Sequence, residues 1–395
     1  SVDKQFDGKF SVENRYDFLN LNTCRFLWKQ VKFPTATDAS NTTAQVLKQG
    51  EVQGSDVAAH LAGVLDIKTT ILPDADALFL TAIDRYGHEL WRWTFPVNKL
   101  NQANEVLSPL SNKVTSTETE NELTVKAKNH TFIFSKKDGQ LKGVSVNNRK
   151  ISFANGPRFI GARRADRSLD QFYNHDDEKA KEKDRTYSEF PDAAVFTKLD
   201  VKEDGGNLIV TADYKLGNLD KVQWTINPNG EAVLDYTYNF SGVVDLMGIC
   251  FDYPEDQVIS KRWLGAGPYR VWQNRIHGTQ YDVWENDYND PIPGETFTYP
   301  EFKGYFGSVS WMNIRTKEGT ISLTNETPDA YIGVYQPRDG RDRLLYTLPE
   351  SGISVLNVIP PVRNKVNSTD LCGPSSQPKW VNGPQSGRII FRFME

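Results

Sequence analysis

The stretch Trp263-Leu264-Gly265-Ala266-Gly267-Pro268 decides how the second half of this chain is interpreted. It combines a large aromatic ring with two glycines and a proline, and glycine and proline are the residues that most often form turns. We therefore predict that the stretch shapes a turn. It offers no acidic or nucleophilic side chain for catalysis. Arg275 follows closely, and Tyr281-Asp282-Val283-Trp284 comes next.

On both sides of this stretch the chain has the pattern of β-strands. Polar and apolar residues alternate over residues 10–16 and less strictly over 25–33, which is typical of half-buried strands. Further strands are predicted at residues 77–84 and 89–96, joined by a tight turn in which Gly87 supplies a positive φ. Later predicted strands cover residues 123–127, 130–135, 141–146, 207–214, 221–226, 232–240, 248–253, 319–324, 331–336, 354–358 and 388–393.

No long amphipathic helix separates these predicted strands. The pattern excludes a βα barrel or a doubly wound sheet and predicts an all-β protein. Residues 98–119 are rich in Asn, Ser and Thr and have weak periodicity, so we interpret them as a linker. We predict two domains, with residues 1–107 forming a small antiparallel sandwich and residues 108–395 forming a large double-sheet sandwich.

Composition and charge exclude several classes of partner. The 395 residues carry a net charge of -5 from interleaved acids and bases, which argues against a nucleic-acid or anionic-membrane partner. No apolar run approaches the about 20 residues that span a bilayer. Cys24, Cys250 and Cys372 are far apart and lack the spacing of zinc ligands. We predict buried thiols rather than a disulfide framework or a zinc site.

Aromatic and acidic residues are interleaved after Arg275. Residues 281–290 and 299–305 alternate rings with carboxylates and amides between prolines and glycines. A loop of this composition suits a sugar or a hard cation such as Ca²⁺, although the spacing is not that of an EF-hand. In the alternative interpretation the rings anchor the loop, and Arg270, Arg275 and Glu301 form buried ion pairs.

A dense run of charges at residues 163–185 interrupts the strand pattern. Phe172, Tyr173 and His175 are embedded in it. One interpretation is a solvated loop with a short helix. The other is a long excursion over a neighbouring domain or a site, because loops of this length are uncommon in compact domains.

The first part of the chain carries three motifs: Val12-Glu13-Asn14-Arg15-Tyr16-Asp17-Phe18, Trp28 soon after, and Gly87-His88-Glu89-Leu90-Trp91-Arg92-Trp93. In these motifs residues 6–97 resemble the immunoglobulin-like domain that follows the catalytic barrel in family 2 β-galactosidases.

The rest of the chain looks like the last domain of that family, a supersandwich of the fold shared with aldose mutarotases. Over residues 120–395 the motifs are Phe132-Ile133-Phe134-Ser135-Lys136-Lys137-Asp138-Gly139-Gln140-Leu141, the stretch from Trp263 to Pro268, and Trp380. The resemblance covers nearly the whole chain. It implies an immunoglobulin-like β-sandwich followed by a galactose-mutarotase-like β-supersandwich.

The chain departs from the resembled family at three places. Arg163-Arg164-Ala165-Asp166-Arg167-Ser168 stands where the family has Arg-Ala-Pro-x-Asp-Asn-Asp. After Gly267-Pro268, Tyr269-Arg270-Val271-Trp272 replaces an acidic residue. Cys372-Gly373-Pro374-Ser375-Ser376-Gln377-Pro378-Lys379-Trp380 replaces Gly-Gly-Asp-Asp-Ser-Trp. The resemblance therefore does not assign the sugar to galactose.

No catalytic residue is predicted in this chain. The two carboxylates of a retaining glycosidase, about 5 Å apart, lie in the family's barrel, which has no counterpart in this sequence. Asn104-Glu105, Asn121-Glu122 and Asn325-Glu326 match the family's acid motif in two residues only. We expect this chain to be inactive alone, and we interpret its start at Ser1 as a processed or truncated end of a longer bacterial glycoside hydrolase.

The resemblance implies that Trp380 stacks on the saccharide, since a pyranose offers an apolar C–H face to an aromatic ring. Glycines and prolines around Trp380 predict that a loop carries it, and a core or interface position is the alternative. The predicted carbohydrate-binding residues are Trp380, Trp284, Tyr281, Glu301, Arg275 and Asp287.

The expected partners are a carbohydrate substrate and the catalytic barrel of the parent chain, with a homo-oligomer left open. No nucleic acid, membrane or cofactor is expected, apart from the Ca²⁺ alternative. The expected location is the periplasm or the exterior of a bacterium, with the cytoplasm as the alternative.

Two further functions are weighed against this one. A mutarotase-like enzyme needs a His acid and a Glu base. Glu326-Thr327-Pro328-Asp329 resembles the neighbourhood of that family's Glu, and His175 or His277 would serve as the acid. A free-standing carbohydrate-binding protein is the other alternative.

Overall fold

The computed structural model describes residue 2 and residues 5–38, 43–97, 113–164, 187–190, 193–287, 304–334, 351–361 and 373–395. Within these ranges the chain forms β-strands and short 3-10 turns, without an α-helix. The 3-10 turns are Leu21–Thr23, Glu255–Gln257 and Pro374–Ser376. The predicted all-β class is confirmed. No helix in the described part of the chain is long and apolar enough to cross a membrane.

The chain folds into two units, each packed mainly within itself. The first unit comprises Ser1–Asn104 together with Gln280–Trp284. The second comprises Glu105–Thr279 and Glu285–Glu395. A short segment from late in the sequence therefore completes the first unit.

The first unit is a small sandwich of two antiparallel sheets. One sheet pairs β1 with β4, and the other has the order β3-β2-β5-β6, where the strands are β1 (Lys9–Glu13), β2 (Arg25–Lys32), β3 (Gln45–Gln53), β4 (Ala62–Asp66), β5 (Ala77–Ile83) and β6 (Glu89–Pro96). Alternate side chains of β2 are buried, so Phe26 and Trp28 enter a core that also holds Leu65 and Leu80. Gly50 faces Trp28 across the β2–β3 pair, and a Cβ there would lie 2.5 Å from the indole.

The second unit contains most of the strands. They are β7 (Thr115–Glu118), β8 (Glu122–Ala127), β9 (His130–Ser135), β10 (Leu141–Val146), β11 (Arg149–Ile151), β12 (Ala154–Arg164), β13 (Tyr187–Glu189), β14 (Val195–Asp204), β15 (Asn207–Lys215), β16 (Leu219–Ile226), β17 (Ala232–Val244), β18 (Leu246–Asp252), β19 (Val258–Gly267), β21 (Trp311–Thr316), β22 (Gly319–Asn325), β23 (Tyr331–Val334), β24 (Ile353–Val358) and β25 (Lys379–Met394). The remaining strand, β20 (Gln280–Asn286), has its first five residues in the first unit.

Two large sheets make the second unit a supersandwich. One has the order β23-β24-β18-β12-β10-β9-β8-β7, with β11 beside β10 and β13 beside β12. The other runs in the order β14-β15-β16-β17-β25-β22-β21-β19. The two sheets share an aromatic core, in which Phe153 lies 5.2 Å from Phe391 and Trp224 lies 6.1 Å from Phe251, between ring centroids.

Several local expectations were wrong. The stretch from Trp263 to Gly267 lies in strand β19 and does not form a turn. The predicted linker contains strand β7, which pairs with β8, while residues 98–112 lie outside the described residues. Arg163 and Arg164 belong to strand β12, and residues 165–186, with His175, lie outside the described residues.

The predicted buried thiols are confirmed for two of the three cysteines. Cys24 and Cys250 are buried, and neither takes part in a disulfide. The sulfur of Cys24 lies 3.8 Å from the hydroxyl of Tyr16. Cys372 lies outside the described residues.

Candidate functional site

Trp380 lies on a strand, which corrects the prediction that a loop carries it. It is the second residue of β25 and is paired with Val243 of β17. The strand tolerates Gly383 and Pro384 because β22 pairs with β25 only over the later residues, in a register that starts at Ile389. Proline is accepted where a strand has one partner, since its missing N–H interrupts no second ladder.

The side chain of Trp380 is presented to solvent. Its exposed fraction is 71%, the largest of any described tryptophan. Side chains of a strand alternate between its two faces, and along β25 the even-numbered residues from Trp380 to Arg388 are all exposed. The indole therefore offers an aromatic face on the outer side of the sheet, which is the geometry that stacking on a sugar requires.

A buried glutamine fixes the segment that leads into β25. The side-chain amide of Gln273 donates to the carbonyl oxygens of Ser375 at 3.0 Å and Gln377 at 2.6 Å. Its backbone N–H donates to the carbonyl of Pro360 at 3.1 Å. The neighbouring amide of Asn274 lies 3.4 Å from the hydroxyl of Ser376. The segment 273–274 therefore holds residues 375–377, three to five positions before Trp380.

The hydrophobic residues just before Gln273 anchor this segment in the core. Val271 and Tyr305 exchange two backbone hydrogen bonds of 2.7 and 2.9 Å. The ring of Trp272 stands edge-on to that of Tyr305, with 5.4 Å between centroids. Both residues belong to a buried cluster that includes Leu246 and Leu356. Gln273 therefore follows directly on residues that are fixed in the core.

Strand β19 precedes this buried segment in the sequence. Trp263 is buried, stands edge-on to Phe306 at 4.9 Å, and donates from its indole N–H to the carbonyl of Ala266 at 3.0 Å. A Cβ at Gly265 would lie 3.0 Å from the carbonyl oxygen of Gly307 and from the α-carbon of Val309. Close packing of the backbone therefore requires glycine at this position. The turn prediction was wrong because Gly265 packs on residues 307–309, which are distant in the sequence.

Arg275 lies in the same unit, at the end of the anchored segment. Its backbone N–H donates to the carbonyl of Trp272 at 2.8 Å, and its side chain is exposed. The alternative of a buried ion pair at Arg275 was therefore wrong, because Arg275 is exposed. The exposed ring of Tyr269 lies on the same segment. Glu301, its predicted partner, lies outside the described residues.

Tyr281 and Trp284 have a different environment. They lie in strand β20 rather than in the predicted loop, and this part of the strand belongs to the first unit. The ring of Tyr281 stands edge-on to Phe33 at 5.6 Å, and Trp284 donates from its indole N–H to the carbonyl of Gln280 at 3.0 Å. Both side chains are half-buried. Their assignment as sugar-binding residues stays a prediction.

Asp282 explains why β20 is fixed there. Its carboxylate forms a salt bridge of 2.9 Å with Arg92, and both side chains are largely buried. The guanidinium of Arg92 also lies over the ring of Phe79 at 4.5 Å and that of Trp284 at 5.9 Å. Burial raises the pKa of Asp282, and the charge of Arg92 opposes that rise. The contacts of Arg92 with Asp282, Phe79 and Trp284 therefore hold this part of β20 in the first unit.

Asp287 is exposed just after the end of β20. The residues that follow it, 288–303, lie outside the described residues, and the Ca²⁺ alternative for this region stays a prediction. Among the residues that the structure describes, no group of three or more His, Cys, Asp or Glu side chains is placed to hold a metal ion.

The mutarotase residues are only partly placed. Glu326 lies in a polar groove of about 430 Å³ on the second unit, 3.3 Å from the guanidinium of Arg388. Arg388 also reaches Asp235 at 3.5 Å. The described lining of this groove contains no histidine. His277 lies on an exposed turn, so the structure does not assign an acid to Glu326.

Two of the three Asn-Glu dipeptides lie among the described residues. Glu122 is the exposed first residue of strand β8, which pairs with β7 and β9, and Glu326 forms an ion pair with Arg388. Asn104-Glu105 lies outside the described residues.

A family model described as the β-galactosidase small chain matches residues 126–359. The chain belongs to this family. The predicted relationship to β-galactosidases is confirmed, and the function of the chain is related to carbohydrate. No curated protein matches the sequence.

Solved structures of low similarity include two sugar-related enzymes. Galactose 1-epimerase from Lactobacillus acidophilus NCFM has a TM-score of 0.39 and 8% identity, covering 72% of this chain and 99% of its own. A putative mutarotase, YeaD, from Salmonella typhimurium has a TM-score of 0.32 and 9% identity, covering 74% of this chain and 97% of its own.

The sequence did not reveal the residues that position Trp380. Gln273 lies next to the motif that carries the resemblance, yet its partners follow about a hundred residues later. A lone glutamine with no periodic pattern gives no signal for such a contact. The glycines and prolines around Trp380 were the available signal.

Proposed function

We propose that this chain is the non-catalytic part of a β-galactosidase-like glycoside hydrolase and forms one wall of its sugar pocket. The chain supports a catalytic barrel, carried on the same polypeptide or on another, and contributes Trp380 to the rim of the active site. The observation that supports the proposal most is the exposed indole of Trp380 on a strand fixed by buried contacts, in a chain of the β-galactosidase small chain family.

Stacking and anchoring give Trp380 its role. An indole face binds the C–H face of a pyranose without a directional requirement, while hydroxyl recognition comes from polar groups. A platform that is already ordered loses little side-chain entropy when the sugar binds. The hydrogen bonds from Gln273 supply that order before the substrate arrives.

The test is to replace Trp380 in the enzyme that contains this chain and a catalytic barrel. We expect Trp380→Ala to lower kcat/KM for a β-galactoside by about tenfold, which corresponds to about 1.4 kcal/mol. Tyr86→Ala is the matched control, because Tyr86 is 69% exposed and lies in the turn before β6 of the first unit. Its kinetics should equal those of the wild type.

Two results would contradict the proposal. Unchanged kinetics in Trp380→Ala would remove this residue from the pocket. Mutarotation of α-galactose or hydrolysis of a β-galactoside by the chain alone, lost on substitution of Glu326, would make the chain an enzyme in its own right.

A further inference from the structure

Asn382 is the next side chain after Trp380 on the same face of β25. Residues two apart in a strand point to the same side, about 6.6 Å apart along the strand. Asn382 is exposed, as Trp380 is, whereas Val381 between them is more buried. An indole and a carboxamide thus stand side by side on the outer face of the sheet.

Ser241 of β17 fixes the orientation of this carboxamide. Ser241 is the cross-strand partner of Asn382. Its hydroxyl donates to Oδ1 of Asn382 at 2.9 Å and accepts from the backbone N–H of Gly383 at 3.4 Å. The carbonyl side of the amide is therefore occupied by Ser241. The two N–H donors on Nδ2 can serve a ligand.

Asn382 is closer to Trp380 along this face than the other exposed carboxamide, Asn239, which stands opposite Pro384. Val243, directly opposite Trp380, is apolar, and Pro384, the next residue after Asn382 on the face, has no N–H. A ring stacked on Trp380 and extending toward Pro384 would bring a hydroxyl to Asn382.

We propose that Asn382 determines specificity by donating a hydrogen bond to one hydroxyl of the pyranose that stacks on Trp380, with Ser241 as its positioning residue. The inference rests on the proposed function of Trp380. Stacking alone distinguishes epimers poorly, because both offer C–H groups to the ring. An oriented amide discriminates, since a sugar that lacks the hydroxyl leaves the donor without its partner.

The experiment is a cycle of enzyme variants and deoxy sugars, measured as inhibition constants in the enzyme that contains this chain and its barrel. The inhibitors are methyl β-galactoside and its 2-, 3-, 4- and 6-deoxy analogues. In the wild type we expect one deoxy sugar to have an inhibition constant about fivefold higher because it cannot bond Asn382. This increase is called the deoxy penalty. In Asn382→Ala the deoxy penalty should be about fivefold smaller than in the wild type, because the amide that bonds the hydroxyl is absent.

The variant Asn382→Leu is the second test of recognition. It keeps a side chain of similar shape but has neither a donor nor an acceptor, so it should behave as Asn382→Ala does. Ser241→Ala should reduce the penalty in part, because the amide loses its orientation. Asn129→Ala is the control, since Asn129 is a half-buried asparagine of a turn in the second unit whose amide donates to the side-chain oxygen of Asn147. Its penalties should equal those of the wild type.

If every deoxy sugar shows the same loss of inhibition in Asn382→Ala as in the wild type, the inference is overturned. An undiminished loss in Asn382→Leu would overturn it as well. The parallel measurement on Trp380→Ala keeps the two proposals apart. If inhibition by methyl β-galactoside is the same in Trp380→Ala as in the wild type, the proposed function itself fails. If it is weakened there while the Asn382 variants show no coupling, the assignment of Asn382 alone fails.

Discussion

Arg92 and Asp282 show at the scale of single residues how the first unit is held. Their side chains are 20% and 15% exposed and 2.9 Å apart. Arg25 and Glu51 form a pair of similar length, 3.0 Å, with both side chains 44% exposed. An exposed pair contributes little because water screens it. Breaking a buried pair is costly because it leaves a charge without compensation.

We expect Arg92→Met to destabilise the protein by about 3 kcal/mol at neutral pH. Burial already raises the pKa of Asp282, and loss of Arg92 raises it further. A carboxyl whose pKa is higher in the folded state favours folding most when protonated. The free energy of unfolding of the variant should therefore fall, relative to the wild type, as the pH rises above the usual range of an aspartate.

Denaturant unfolding of Arg92→Met at pH 5 and pH 8 measures this effect. Arg25→Met is the control and should change stability by less than about 1 kcal/mol, with no added pH dependence. Equal losses for the two variants would show that the buried pair is not special.

Gly265 is a second residue on which a close contact depends. A Cβ there would lie 3.0 Å from backbone atoms of Gly307 and Val309, which cannot rotate away as a side chain can. We expect Gly265→Ala to destabilise the second unit by about 1–3 kcal/mol. Gly143→Ala is the control, because nothing lies within 4 Å of a Cβ at this strand position. It should be neutral or slightly stabilising, and chemical denaturation compares the two.

At the scale of elements, Gln273 links the segment after β19 to the segment before β25. Gln273→Leu removes both hydrogen bonds to the carbonyls of Ser375 and Gln377. We expect faster amide hydrogen exchange over residues 374–380 and a loss of about 1–3 kcal/mol for the carbonyls left without a donor. Mass spectrometry of exchanged peptides measures the change.

Gln53 offers a matched control for that experiment. Its amide also donates to two carbonyl oxygens, those of Asn22 at 2.5 Å and Cys24 at 2.9 Å, in the first unit. Gln53→Leu should accelerate exchange near residues 22–24 and leave residues 374–380 unchanged. Faster exchange over 374–380 in both variants would argue for a general loss of stability.

Elements with a local pattern were predictable from sequence, and elements set by distant contacts were not. β6 and β10 begin and end where alternation and the flanking turns placed them. β3 was missed because none of its nine residues is buried, so no apolar period marks it. β19 was taken for a turn because the packing of Gly265 on residues 307–309 cannot be read locally.

The candidate site divides in the same way. The resemblance pointed to Trp380, whose exposure fits a binding role. The strand that carries Trp380 was not foreseen, because Gly383 and Pro384 are turn formers unless a strand lacks a second partner. Tyr281 and Trp284 contact other groups of the first unit, and their composition in the sequence does not distinguish rings that pack from rings that bind.

At the scale of the whole molecule, the first unit depends on a segment from far along the chain. Gln280–Trp284 belongs to it although 175 residues separate this segment from Asn104. The segment brings Asp282 to Arg92 and Tyr281 to Phe33. The first unit should therefore be incomplete when it is made from its own contiguous residues.

A fragment of residues 1–104 tests this dependence. It leaves the guanidinium of Arg92 without its carboxylate, so we expect its melting temperature to lie below that of the first unit in the whole chain. A peptide of residues 280–286 added in excess should raise that melting temperature, because it binds the folded form. The same peptide with Asp282→Asn should raise it less, since the amide cannot pair with Arg92. Differential scanning calorimetry measures all three, and equal effects of the two peptides would show that the rings, rather than the ion pair, hold this segment.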